Sequence, residues 1–119
     1  MSAVGIVLEI HLVLAFLVAL CAVVFSWTAN GRRVVNAVVG LQFLVGLVAA
    51  AMLGANHLPI PPAVWLHLLI ALAILASYGI AMRTGKRAGG ARTALLYSIA
   101  GVVLVFLNIW LGLHMAGMT

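Results

Sequence analysis

Four long apolar stretches, each about the length of a membrane-crossing helix, dominate the hydrophobic pattern of the chain. They run from Val4 to Trp27, Val34 to Leu53, Ala63 to Met82 and Thr93 to Met115. Because about 20 helical residues cross the roughly 30 Å of hydrocarbon in a bilayer, each stretch predicts one membrane span. The breaks between them hold asparagine, glycine and proline, which interrupt helices. The pattern predicts an all-α, integral membrane four-helix bundle, with residues 1–119 forming a single domain.

The composition supports this class of protein. The chain is 67% hydrophobic and 6% charged, and its mean hydropathy is +1.35, whereas about a quarter of the residues in soluble domains are charged. The sequence contains no nucleophile with an adjacent base, no phosphate-binding loop and no dinucleotide fingerprint. It therefore gives no support to a hydrolase or a kinase.

The basic residues predict how the bundle is oriented. Arg32 and Arg33 lie between the first two spans, and the other basic residues lie between the last two: Arg83, Lys86, Arg87 and Arg92. By the positive-inside rule, both basic loops are cytoplasmic and the N and C termini are outside, in the plasma membrane. Insertion alone accounts for a net charge of +5, so the charge indicates contact with the lipid bilayer and its anionic headgroups rather than with nucleic acid.

Two histidines occur in matching places within the spans. His11 begins the sequence HLVLA in the first span, and His67 begins HLLIA in the third. Both spans run from outside to inside, so the two side chains should lie at similar depth in the outer half of the membrane. Ionisable side chains are costly inside a bilayer and usually mark functional sites.

The two halves of the chain also resemble each other. Each histidine is followed by a hairpin and then by an amide four residues before a glycine, namely Gln42 with Gly46 and Asn108 with Gly112. A spacing of four places each pair on one helix face. Two hairpins of the same topology form a parallel repeat with an approximate two-fold axis along the membrane normal. Such an axis would aim His11 and His67 at each other.

Two facing imidazoles in an apolar bundle suit a haem, whose iron takes one neutral nitrogen from each side of a flat ring. Alanines follow each histidine on its helix face and leave room for such a ring, although small residues also pack membrane helices together without any ligand. Gln42 and Asn108 are further cofactor-binding candidates, through a propionate or an imidazole. The alternative is that they only form hydrogen bonds between helices.

One segment of the chain resembles the haem A synthase family. Residues 42–46 read QFLVG, and they are followed by Leu58-Pro59 in an outer loop and by His67-Leu68-Leu69 with Ala71. The family consists of two similar four-helix halves, each with a pair of haem-ligating histidines, and the resemblance covers one half. It implies that His11 and His67 are axial ligands of a b-type, cytochrome-like haem.

Glu9 is the only acidic residue and a weak candidate for a catalytic role. The family commonly has a glutamate three residues before its first histidine and an arginine after it. In this chain Glu9 lies two residues before His11, and Leu12 follows, so the sequence departs from the family there. Residues two positions apart in a helix point in directions that differ by about 200° around the helix axis, so Glu9 and His11 cannot both face the bundle centre. Glu9 could instead lie among the outer headgroups.

The remaining histidines suggest a second kind of metal site. Imidazole and thioether groups together suit copper, and candidate ligands occur near the outer surface: His57, His114, Met52, Met115 and Met118. His114 is also a weak candidate for the haem site, whereas His57 is expected to be solvated.

Three functional classes remain open. The first is a haem-binding membrane protein for electron transfer or for oxidation of a haem side group, which as an enzyme would be a haem-dependent oxidoreductase and could act as a homodimer. The second is a non-catalytic accessory subunit of a larger respiratory complex, in which the histidines form interhelical hydrogen bonds. The third is a small transporter or quinone-site protein that uses Glu9 and the histidines to carry protons.

Overall fold

The computed structural model describes residues 2–117, which form four α-helices without any strand. The helices are α1 (Ala3–Phe25), α2 (Ala29–Ala55), α3 (Ala63–Gly85) and α4 (Ala91–Met115). Each is long and apolar enough to cross a membrane. The predicted all-α architecture of four membrane-length helices is confirmed, and it identifies a multi-pass membrane protein.

The helices are arranged as two hairpins side by side. The closest packing is within each hairpin, and further contacts join α2 to α3 and α1 to α4. Helices α1 and α3 are therefore diagonally opposite, as are α2 and α4. The bundle is 51 Å long. We call the end with the α1–α2 and α3–α4 connections the basic end, because all the basic side chains lie near it, and the opposite end the terminal end.

The start of α2 differs from the prediction. The sequence placed a break at Asn30-Gly31 and the span start at Val34, but α2 begins at Ala29. The hydroxyl of Thr28 caps the helix by accepting a hydrogen bond from the Gly31 amide, 3.0 Å away. A side chain at Gly31 would overlap the Phe25 carbonyl, so this glycine permits a tight turn instead of ending a helix. Arg32 and Arg33 consequently belong to α2 and not to a loop.

The interior of the bundle is closely packed near the basic end. Its buried apolar residues come from all four helices: Val18, Cys21, Ala22, Val35, Val39, Ile74, Tyr78 and Val105. The Tyr78 ring fits against α4 only because Gly101 has no side chain, since a Cβ there would lie 2.7 Å from the ring. Cys21 is a buried free thiol and packs as a small apolar group.

The outer surface of the bundle is apolar along its length. Side chains such as Val13 (67% exposed) and Leu69 (63% exposed) point away from the interior. Soluble monomers rarely expose apolar surface this extensive and continuous. The exposed apolar faces are therefore suited to contact with lipid.

Candidate functional site

His11 on α1 and His67 on α3 meet between the two hairpins. Their ring centroids are 6.0 Å apart, and the ring planes are nearly perpendicular, at 89°. Both side chains are partly buried. The prediction that the two histidines face each other across the bundle is confirmed, because the diagonal helices present them to the same space.

Each imidazole lies against a glycine of its own hairpin partner. A Cβ atom at Gly46 on α2 would be 3.0 Å from His11 Cε1, and one at Gly112 on α4 would be 3.3 Å from His67 Cε1. The same contact thus occurs in both halves of the bundle. The amide–glycine spacing indicated a shared helix face, but the sequence did not indicate that the glycines would hold the imidazole rings.

The two amides lie beside the same histidines. Gln42 Nε2 donates a hydrogen bond to the His11 carbonyl oxygen at 2.8 Å, and the buried Asn108 side chain lies close to His67. Four buried polar atoms here have no well-formed hydrogen bond: Nδ1 of His11, Nδ1 of His67, Oε1 of Gln42 and Oδ1 of Asn108. Such atoms are costly unless a partner is supplied. Each half therefore places an imidazole beside an amide side chain, with an imidazole nitrogen and an amide oxygen that both lack a well-formed hydrogen bond.

These side chains project into a cavity of about 450 Å³ that all four helices line. Its volume falls within the range of about 300–1,000 Å³ typical of small-molecule and cofactor sites. The ionisable and amide side chains that line it are few: Glu9, His11, Gln42, His67 and Asn108. Leucine, valine, alanine and glycine form most of the remaining wall. A largely apolar chamber with a few convergent polar groups suits a mainly apolar ligand with a few polar groups.

The other sequence candidates lie outside the centre of this cavity. Glu9 is exposed and only contributes to the wall. His57 adopts a positive φ of 56° just after α2, and the ring of His114 stacks on Trp110 with centroids 5.3 Å apart. Neither His57 nor His114 lines the cavity.

The copper site stays a prediction, and one of its candidate ligands, Met115, lines the cavity. Among residues 2–117, no three His, Cys, Asp or Glu side chains come together to hold a metal ion. Met118 lies outside the described residues. Two histidines are nevertheless sufficient as axial ligands of an iron that a porphyrin already holds.

A second polar group, at the basic end, was missed by the sequence interpretation. Arg32 is only 8% exposed, and its Nε atom donates to the Ser26 carbonyl at 3.0 Å and to Ser98 Oγ at 2.8 Å. The Ser26 hydroxyl in turn bonds the Tyr78 hydroxyl at 2.7 Å. Tyr78 and Ser98 are polar residues inside apolar stretches, and this was the signal that could have revealed them.

Comparison of the chain with protein-family models, with curated proteins and with solved structures gives no match.

Proposed function

We propose that the protein binds one haem between His11 and His67 and serves in membrane electron transfer. The observation that carries this proposal is the meeting of two imidazoles, from diagonally opposite helices, in an apolar cavity of cofactor size. Bound in this way, an iron porphyrin supplies a one-electron couple.

The separation of the rings suits a shared iron. Imidazole nitrogens bind zinc at about 2.0–2.1 Å, and the nitrogen lies about 1 Å from the ring centre. Two imidazoles bound in line to a metal of similar size would therefore have centroids about 6 Å apart. The observed separation of 6.0 Å matches this value. The ring separation is therefore compatible with both imidazoles holding one iron.

Gln42 and Asn108 are suited to orient these ligands. If each histidine carries its proton on Nδ1, it can donate to the neighbouring amide oxygen, which otherwise has no partner. That arrangement leaves Nε2 with a free lone pair for the metal. Ligand histidines commonly donate their other N–H in this way, and the hydrogen bond fixes both tautomer and ring orientation.

The glycine contacts are repeated in both halves, and the α1–α2 half adds a hydrogen bond between its helices. Gly46 and Gly112 allow α2 and α4 to approach the imidazoles closely, and the Gln42 bond to the His11 carbonyl fixes α2 against α1. Ligand rings held by neighbouring helices need little reorganisation when the cofactor binds.

Electron transfer fits this site better than substrate turnover. If His11 and His67 both hold the iron, a haem there would be suited to carrying electrons rather than to binding oxygen or substrate. Glu9, the only acidic side chain in the sequence, is exposed and lines the cavity wall. Oxidation of a haem side group, as the resemblance to haem A synthase implies, would require a second haem, and hence a second copy of the chain.

The membrane orientation follows from the charge distribution. The basic residues lie near one end of the bundle and the histidine pair lies toward the other. We propose that the basic end is cytoplasmic in the plasma membrane. The haem would then exchange electrons with partners on the outer side or within the membrane.

The test is a reduced-minus-oxidised visible spectrum of the purified protein after haem reconstitution. Wild type, His57→Ala and His114→Ala should show a low-spin b-type spectrum. His11→Ala and His67→Ala should each lose it, and added imidazole should restore it in His67→Gly. A wild-type protein that takes up no haem would overturn the proposal and favour the accessory-subunit interpretation, in which the histidines only join helices.

A further inference from the structure

A recess at the basic end combines three cationic side chains with no acidic one. It is lined by Arg32, Arg33 and Lys86 together with Ala29, Met82 and Gly85. Its volume is about 50 Å³. A single buried water needs only about 10–15 Å³ measured in this way, so the recess has room for a group the size of a phosphate.

The Arg32 guanidinium is directed into this recess. Its hydrogen bonds within residues 2–117 come from Nε alone, and Nη1 lies 3.4 Å from the position that a Cβ at Gly85 would occupy. The two terminal nitrogens thus keep their N–H donors for another partner. A guanidinium offers these donors as a fork that matches carboxylate and phosphate oxygens.

Nothing in the chain neutralises this charge. Arg32 is more than nine-tenths buried, and a buried charge is costly unless it is paired. The only acidic residue, Glu9, lies near the opposite end of the bundle on α1. Arg33 and Lys86 add two further positive charges at the opening of the recess.

We propose that this recess binds a phosphate group, supplied by the headgroup of an anionic phospholipid. The recess lies at the end of four membrane-length helices, which is the level at which lipid headgroups lie. The terminal nitrogens of Arg32 would donate hydrogen bonds to the phosphate oxygens, and the charged groups of Arg33 and Lys86 would contact the same oxygens from the other side of the recess. The phosphate would thereby brace α2 against α3 at the end opposite the histidine cavity.

The test compares two double variants with the same change in charge. R33Q/K86Q removes the outer cations of the recess and leaves Arg32 in place. R87Q/R92Q removes two basic residues near the same end that do not line the recess. Each protein is placed in phosphatidylcholine nanodiscs containing graded amounts of phosphatidylglycerol, and lipid retention is measured by native mass spectrometry. Thermal stability in detergent is measured in parallel with inorganic phosphate and with chloride at equal ionic strength.

We expect one tightly retained phosphatidylglycerol per wild-type chain, with R33Q/K86Q weakening retention roughly tenfold more than R87Q/R92Q. If the wild type retains no phosphatidylglycerol, while inorganic phosphate stabilises it but not R33Q/K86Q, the occupant is free phosphate and the lipid source is wrong. Equal weakening in both double variants, or retention that never saturates, would overturn the proposal and leave only diffuse attraction to anionic lipid. None of these readouts depends on haem.

Discussion

The glycines behind the two histidines allow a graded test of the haem site. In Gly46→Ala the new methyl would lie 3.0 Å from His11 Cε1, and in Gly112→Ala it would lie 3.3 Å from His67 Cε1. Ordinary contacts begin at 3.4 Å, so the first ring must move by about 0.4 Å and the second by about 0.1 Å. A shift of about 0.4 Å uses up most of the roughly 0.5 Å within which ligand geometry generally has to hold, whereas a shift of about 0.1 Å does not. Gly46→Ala should therefore weaken haem binding roughly tenfold, and Gly112→Ala much less.

Titration of the haem-free variants with haem, followed by the low-spin absorption bands, measures this difference. Unfolding of the haem-free proteins provides the control, because alanine is more favourable than glycine inside a helix by about 1 kcal/mol. The bundle itself should thus remain folded in both variants. Haem affinity that is unchanged in both variants, or that falls more in Gly112→Ala, would refute the idea that the glycines position the rings.

Other substitutions test separate parts of the structure. Gln42→Leu removes the hydrogen bond to the His11 carbonyl and should weaken haem affinity roughly tenfold in the same titration. Gly31→Ala drives a methyl into the Phe25 carbonyl and should lower the free energy of unfolding by roughly 2 kcal/mol or more. Tyr78→Phe leaves the buried Ser26 hydroxyl without its partner and should lower that free energy by about 1 kcal/mol, with an unchanged haem spectrum.

Two glycines elsewhere serve as matched controls. A methyl at Gly40 or Gly79 would meet nothing within 4 Å, so alanine at either position should leave haem binding intact and should not lower stability. If the Gly31→Ala protein is as stable as the Gly40→Ala protein, the claim that the tight turn requires glycine at position 31 is wrong. A Gln42→Leu protein with wild-type haem affinity would show that this amide only joins helices.

The helices could be predicted because length and hydropathy are read directly from the sequence. The start of α2 could not be predicted, because a dipeptide such as Asn30-Gly31 also occurs in breaks between helices. In this bundle the Thr28 cap and the close approach at Gly31 allow a connection of only three residues between α1 and α2. Arg32 was consequently placed in a loop, although it is buried and hydrogen-bonded to two serines.

The facing histidines of the candidate site could be predicted from the sequence, but the contacts around them could not. The repeat predicted that His11 and His67 would face each other, because topology alone places α1 and α3 on one diagonal. The contacts of Gly46 and Gly112 with the imidazoles depend on helix rotation and on separations of a few tenths of an ångström. Residue spacing alone does not determine those quantities.

The most direct test of the central claim is the electron paramagnetic resonance spectrum of the ferric protein reconstituted with one haem per chain. Ligation by both imidazoles predicts one low-spin centre per chain. A high-spin signal from the wild-type protein, or the absence of bound haem, would contradict ligation by both His11 and His67.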